Sequence, residues 1–187
     1  HLYINAFHSH FWDVFFQIYT HIGEGTFAVI VSLLFVFYSI RGFLLCLTTT
    51  TLTGLMVGFI KRVFFYGEPR PLTLLKEYSQ LYIIPGFEPN EINSFPSGHS
   101  ASVFALMLCL CLIVKKEWVS ILLFWISILV CYSRLYLSEH FLIDVFAGAT
   151  IGILVTSLVG YVFDLYGERL SSRSIITTVI EKFRIGS

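Results

Sequence analysis

The stretch Ser94-Phe95-Pro96-Ser97-Gly98-His99-Ser100-Ala101-Ser102, running on through VFALMLCLCLIV to Val114, decides how the chain folds. A polar lead-in with one proline opens into an apolar run that stops at Lys115 and Lys116. Residues 94–114 contain a single ionisable side chain, apart from the cysteines: His99. A run of about 17–25 residues is what an α-helix needs to cross the hydrocarbon of a bilayer. Ser97 suits the N-cap, and the free N–H groups at a helix start favour an anion. Taken alone, however, Pro96-Ser97-Gly98-His99 is also an ordinary helix start.

Working outward, four more apolar runs appear, at residues 25–40, 42–60, 118–133 and 145–163. Helices are the open-chain way to satisfy backbone polar groups in lipid. The expected fold is therefore all-α: a polytopic transmembrane helix bundle with five visible spans. Composition agrees. The chain is 56% hydrophobic and only 13% charged, about half the usual charged share of a soluble domain, and its mean hydropathy is +0.80. With 187 residues, one domain over 1–187 is expected. Residues 1–21 read as an amphipathic segment lying in the interface, and 165–187 as a polar cytoplasmic tail. The segment from Tyr66 to Phe95 is proline-rich and reads as a loop with a short helix near 72–81.

The net charge is zero, which gives no pull toward nucleic acid. Cys46, Cys109, Cys111 and Cys131 lie inside apolar runs without zinc-type spacing and read as apolar filler. Gly54/Gly58 and Gly148/Gly152 read as helix-packing faces, and the Thr48–Thr51 run as hydroxyls bonded back within their own helix. Alternating spans puts Arg41, Lys115, Lys116 and the tail cations on one side, in short connections. Lys61, Arg62, Arg70, Lys76 and Arg134 fall on the other, among acidic residues. The charge rule assigns the first side to the cytoplasm.

The same alternation brings the unusual polar residues to one face, the extracytoplasmic one. Ionisable groups at membrane depth are costly, so each invites a functional reading. His140 and Asp144 are four apart, on one helix face. A carboxylate there orients an imidazole so that its other nitrogen serves as a nucleophile; a helix-start histidine with a capping aspartate fits the same spacing. His99 suits proton donation to a departing oxygen. Arg70 and Arg134 suit bidentate phosphate contact, and Lys61 adds a point charge.

These residues resemble the type 2 phosphatidic acid phosphatase family of integral-membrane lipid phosphatases. The second family block stands complete as Pro96-Ser97-Gly98-His99, and the third as Ser133-Arg134, His140 and Asp144. The first departs: Arg70-Pro71 is present, but Lys61 lies nine residues before Arg70 instead of seven, and Val63 occupies the family position. The resemblance covers roughly residues 61–152. It implies a six-helix core, so either a further span precedes this sequence or residues 1–20 lie in the interface. It implies that His140 forms a phosphohistidine, Asp144 holds its ring and His99 is the acid. Lys61, Arg70, Ser97, Gly98 and Arg134 would bind the phosphoryl oxygens, without metal or cofactor.

The expected function is hydrolysis of a lipid mono- or diphosphate within a bacterial inner membrane. Phosphatidic acid, phosphatidylglycerol phosphate, undecaprenyl diphosphate and lipid A are the substrate candidates, with membrane lipids as the other partners. The 24 residues between Pro71 and Pro96 read as a lid, with Glu88 and Glu91 affecting headgroup choice. A phosphotransferase of the same fold and a non-enzymatic membrane transporter are the alternatives. A vanadate-type halide peroxidase shares the blocks, but five spans argue against a soluble enzyme.

Overall fold

Helix formation follows the apolar runs closely. The computed structural model describes residues 1–75 and 81–166. Among them are eight α-helices and one 3-10 turn: α1 (Leu2–Asn5), α2 (His10–Tyr19), the turn Thr20–Gly23, α3 (Gly25–Tyr38), α4 (Ile40–Val63), α5 (Pro71–Leu75), α6 (Gly98–Val114), α7 (Glu117–Tyr136) and α8 (Leu142–Tyr166). Helices α4, α7 and α8 are long and apolar enough to cross a membrane. Residues His10–Gly23 and α3 meet at a bend of 54° and together make a fourth candidate, a broken span.

The five expected runs therefore all become helices, with shifted ends. The run beginning at Ser94 is helical only from Gly98, because Ser97 caps α6 by accepting the Ser100 N–H at 3.4 Å. Residues 94–97 stay outside the helix and serve the site instead. Ser39 likewise caps α4 by accepting the Gly42 N–H at 3.2 Å, which separates α3 from α4 within a single residue. The short helix expected at 72–81 is seen as α5. Its expected second half and the polar tail beyond residue 166 lie outside the described residues.

Helix α6 is the centre of the bundle and packs against α4, α7 and α8. Its short length matches this place, since Ala101, Val103, Ala105, Leu106 and Cys109 are fully enclosed. Against α8 the backbones nearly touch. A Cβ on Gly148 would collide with the Ser97 carbonyl oxygen, and one on Gly152 with that of Ala101. That pair is a packing face, as expected. Large apolar side chains such as Leu55, Phe59, Trp125, Phe146 and Leu158 point outward, as they should when the surrounding solvent is lipid.

Two expectations fail on α4. A Cβ added to Gly54 or Gly58 would meet no atom within 4 Å, so both glycines face open space and pack against nothing. Within the Thr48–Thr51 run, the hydroxyls of Thr49 and Thr50 have no hydrogen-bond partner among the described residues, so these two are not bonded back to their own helix. The N-terminal residues pack firmly: Asn5, Asp13 and Phe16 are buried, and Asp13 accepts hydrogen bonds from Tyr136 (2.5 Å) and Tyr82 (2.8 Å). Those tyrosines tie α2 to α7 and to the loop before α6.

Candidate active site

The expected site residues gather at one end of the bundle. Asp144 lies in the first turn of α8. Its Oδ2 accepts the Ser94 hydroxyl at 2.5 Å and the Phe141 N–H at 2.9 Å, and lies 3.5 Å from His140 Nδ1. The Asp144 backbone carbonyl accepts the Ser97 N–H at 3.0 Å, locking the start of α6 to the start of α8. His140 is 2% exposed, and apart from this ion-pair contact Nδ1 has no hydrogen-bond partner among the described residues. That leaves the Nε2 edge of the ring for chemistry. Burial pushes the His140 imidazole down to about 3, against the opposing pull of Asp144 and with the positive charges of Arg134, Arg70 and Lys61 in reach. His140 is therefore neutral near pH 7, the form that can act as a nucleophile.

Arg70 and Arg134 meet at Glu139, the residue directly before this histidine. Both are buried, and the Glu139 carboxylate bonds Arg70 Nη1 and lies 3.4 Å from Arg134 Nη2. Arg134 also donates from Nη1 to Thr20 Oγ1 at 2.7 Å, while its Nε has no partner among the described residues. Arg70 donates from Nε to the Ile92 carbonyl at 2.9 Å. Burial lowers the Arg70 pKa, opposed chiefly by Glu139; a guanidinium stays charged nonetheless.

Lys61, in the last turn of α4, donates to the Asn93 carbonyl at 2.8 Å, the oxygen that Arg70 Nη2 also reaches at 3.5 Å. Residues 64–70 absorb the irregular spacing, with Gly67 at φ +78 turning the chain back. Val63, the family position, is 58% exposed and points away. Lys61 is thus the α4 cation on the site side. Gly98 and His99 join Lys61 along the wall of a cavity that opens beside the site. Gly23 presses on His99 so closely that a Cβ there would stand 2.7 Å from Val130 Cγ1 and 3.0 Å from His99 Cβ.

Several contributors were not legible as site residues. Glu139 reads in sequence only as one acid among those of the outer side, although its place directly before His140 was a usable signal. Thr20 is 114 positions from Arg134 and gives no signal at all. Ser94 and Asn93 act through a loop whose course no pattern predicts. The segment expected as a lid is pinned to the site by its backbone: Arg70 N–H and Thr73 Oγ1 both donate to the Glu91 carbonyl, and Asn90 contacts Glu139. Glu88 and Glu91 themselves are exposed.

An all-helical membrane protein with a buried His–Asp pair and buried arginines at one end belongs to a recognisable class, and comparison places it there. The model of the PAP2 superfamily matches residues 41–166, well over half of the chain. The lipid A 4'-phosphatase of Bacteroides thetaiotaomicron is 29% identical over 180 residues, covering 92% of this chain and 77% of that protein. The crystal structure of LpxE from Aquifex aeolicus superposes with a TM-score of 0.74 at 28% identity, over 83% of this chain and 89% of that one. The transmembrane PAP2 type phosphatidylglycerolphosphate phosphatase from Bacillus subtilis shares the fold, with a TM-score of 0.60 at 24% identity over 90% and 84% of the two chains. The chain belongs to the PAP2 superfamily, as a membrane-embedded phosphoric-ester hydrolase of the lipid phosphatase type.

Proposed function

We propose that this enzyme removes phosphate from a membrane lipid through a phosphohistidine, with the site on the extracytoplasmic side of a bacterial inner membrane. The observation that carries this reading is the neutral, buried His140 held beside Asp144, in reach of three cations. In the first step His140 Nε2 attacks phosphorus, an N–P bond forms and the P–O bond to the lipid breaks. His99 gives its proton to the departing lipid oxygen. In the second step water attacks phosphorus, the N–P bond breaks, and His99 takes a proton from that water. Inorganic phosphate and a neutral His140 result. Lys61, Arg70, Arg134 and the N–H groups at Ser97–Gly98 stabilise charge on the phosphoryl oxygens as it develops.

The two relatives above 25% identity, named as lipid A 4'-phosphatase and LpxE, support a lipid A type of substrate over the other candidates. Charge distribution supports the orientation, since the short connections carry Arg41, Lys115 and Lys116 opposite the site. We take residues 1–187 as one functional domain.

The test uses purified protein and a panel of lipid phosphates that includes lipid A. Wild type releases phosphate and His140→Ala does not. Brief reaction with labelled substrate gives an acid-labile, base-stable phosphoprotein in wild type alone. Release of phosphate by His140→Ala at the wild-type rate would sink the proposal.

A further inference from the structure

The turn that carries Glu139 and His140 off the end of α7 is built on a residue that does not favour it. The Ser138 N–H donates to the Leu135 carbonyl at 3.2 Å and the Glu139 N–H to that of Arg134 at 3.1 Å, the paired bonds of a Schellman close. The His140 N–H reaches the same Arg134 carbonyl at 3.3 Å, so this turn sets where the proposed nucleophile leaves the helix. Its pivot, Ser138, has φ +55, the left-handed conformation in which glycine usually stands. A Cβ disfavours that conformation. Ser138 is also 2% exposed, so its hydroxyl must be satisfied by protein.

Asn5, at the end of α1, holds it. Asn5 Nδ2 donates to Ser138 Oγ at 3.2 Å and to the Tyr82 carbonyl at 2.8 Å, and Oδ1 accepts the Tyr82 N–H at 2.7 Å. One amide proton and the oxygen thus pair with both backbone groups of Tyr82, as a neighbouring strand would, and the second proton is left for Ser138. Asn5 is itself buried. Ile4 beside it packs against Leu135 and Val145, which flank the turn on α7 and α8. His1 Nε2 lies 3.1 Å from the same Ser138 Oγ. Asp13 reinforces the arrangement from α2, accepting the Tyr136 hydroxyl at 2.5 Å and the Tyr82 hydroxyl at 2.8 Å. The N-terminal residues therefore grip the end of α7 and the chain at Tyr82 together.

We infer that Asn5 is a positioning residue for the reaction: through Ser138 it fixes the turn that aims His140, and through Tyr82 it fastens the segment leading into α6 to that turn. The inference rests on His140 being the nucleophile. Asn5 bonds to none of the proposed catalytic or phosphate-binding side chains and acts through the backbone of 138–140. A misplacement of about 1 Å from a change remote from the chemistry can cost roughly 100-fold in rate. The loss belongs in kcat, because Asn5 leaves the phosphate-binding cations untouched. A residue that only stabilised the fold would lower the melting midpoint and leave kcat of the folded enzyme alone.

The experiment measures kcat and KM of the purified full chain on the same panel of lipid phosphates, lipid A and phosphatidic acid among them, in mixed micelles. Assays run well below each variant's melting midpoint, with His140→Ala alongside. Asn5→Ala is expected to lower kcat at least about tenfold while KM stays within about twofold. Adding Ser138→Gly, which takes the left-handed conformation unaided, should return kcat to within about threefold of wild type. Ser138→Ala removes only the atom that Asn5 holds, so it reads the same contact even if Asn5→Ala fails to fold. It too should lose at least about tenfold in kcat, and Ser138→Gly should stay well above it. Wild-type kcat in Asn5→Ala or in Ser138→Ala, or a double variant no better than Asn5→Ala, would overturn the inference; an inactive His140→Ala would leave the catalytic reading intact. If His140→Ala matches wild type, or wild type releases no phosphate from any lipid, the catalytic reading falls and takes this one with it.

Discussion

The carboxylate of Glu139, next in the chain to the proposed nucleophile His140, bonds the Arg70 guanidinium, with both side chains buried. The same carboxylate reaches Arg134, so one negative charge holds two like charges together. Removing a single partner of a buried ion pair leaves an uncompensated charge and costs about 3–5 kcal/mol. We expect Glu139→Ala to lower the unfolding midpoint in detergent and to cut activity at least tenfold. Glu139→Gln keeps the shape and should lose less of both. Thermal melts and initial rates on the two variants check this; equal melts for Ala and wild type would refute it.

The state of His140 sets a pH dependence. In the unfolded chain its imidazole takes a proton near pH 6.5, whereas in the fold burial holds it down to about 3. Below pH 6.5 the unfolded state therefore binds a proton that the folded state does not. Stability falls as pH falls from about 6.5 toward 3, and the contribution is flat above that window. His140→Asn cannot bind that proton. Melting midpoints between pH 7.5 and 4.5 should drop more steeply in wild type than in the variant; parallel slopes would count against a buried neutral histidine.

Gly23 has no room for a side chain. A Cβ would stand 2.7 Å from Val130 and 3.0 Å from His99. Overpacking of this kind costs about 1–3 kcal/mol, and here the neighbours that must yield are Val130 first and then the proposed acid. We expect Gly23→Ala to lower kcat about tenfold or more while KM changes little. A rise in KM at constant kcat would show that the corner governs binding instead.

Lys61 is the test of the irregular first block. Hydrogen bonds to charged groups contribute about 1.5–3 kcal/mol, so Lys61→Ala should lower kcat/KM roughly 10- to 150-fold. Adding Val63→Lys to that variant should not restore activity, because Val63 is 58% exposed and faces away. Recovery in the double variant would show that the family spacing is functional after all.

Much of this protein is readable from its residues alone. Long apolar runs set off by charges leave the chain no choice but helices in lipid, and all five became helices. His99, Arg134, His140 and Asp144 stood at the ends of those helices, so alternating direction was enough to bring them to one face. What direction alone could not supply was lateral contact. Glu139 between two arginines, Thr20 on Arg134 and Ser94 on Asp144 each join segments far apart in the chain, and no local pattern encodes such a meeting. Helix face was equally invisible. Gly148/Gly152 and Gly54/Gly58 are identical as motifs, yet the first pair lies against α6 and the second opens onto a cavity, because packing depends on which neighbour stands opposite. His99 and His140 were therefore determined by sequence as to end and side. The groove leading away from them, lined by Thr50, Thr53 and Ser102, was decided only by how the surrounding helices lean together.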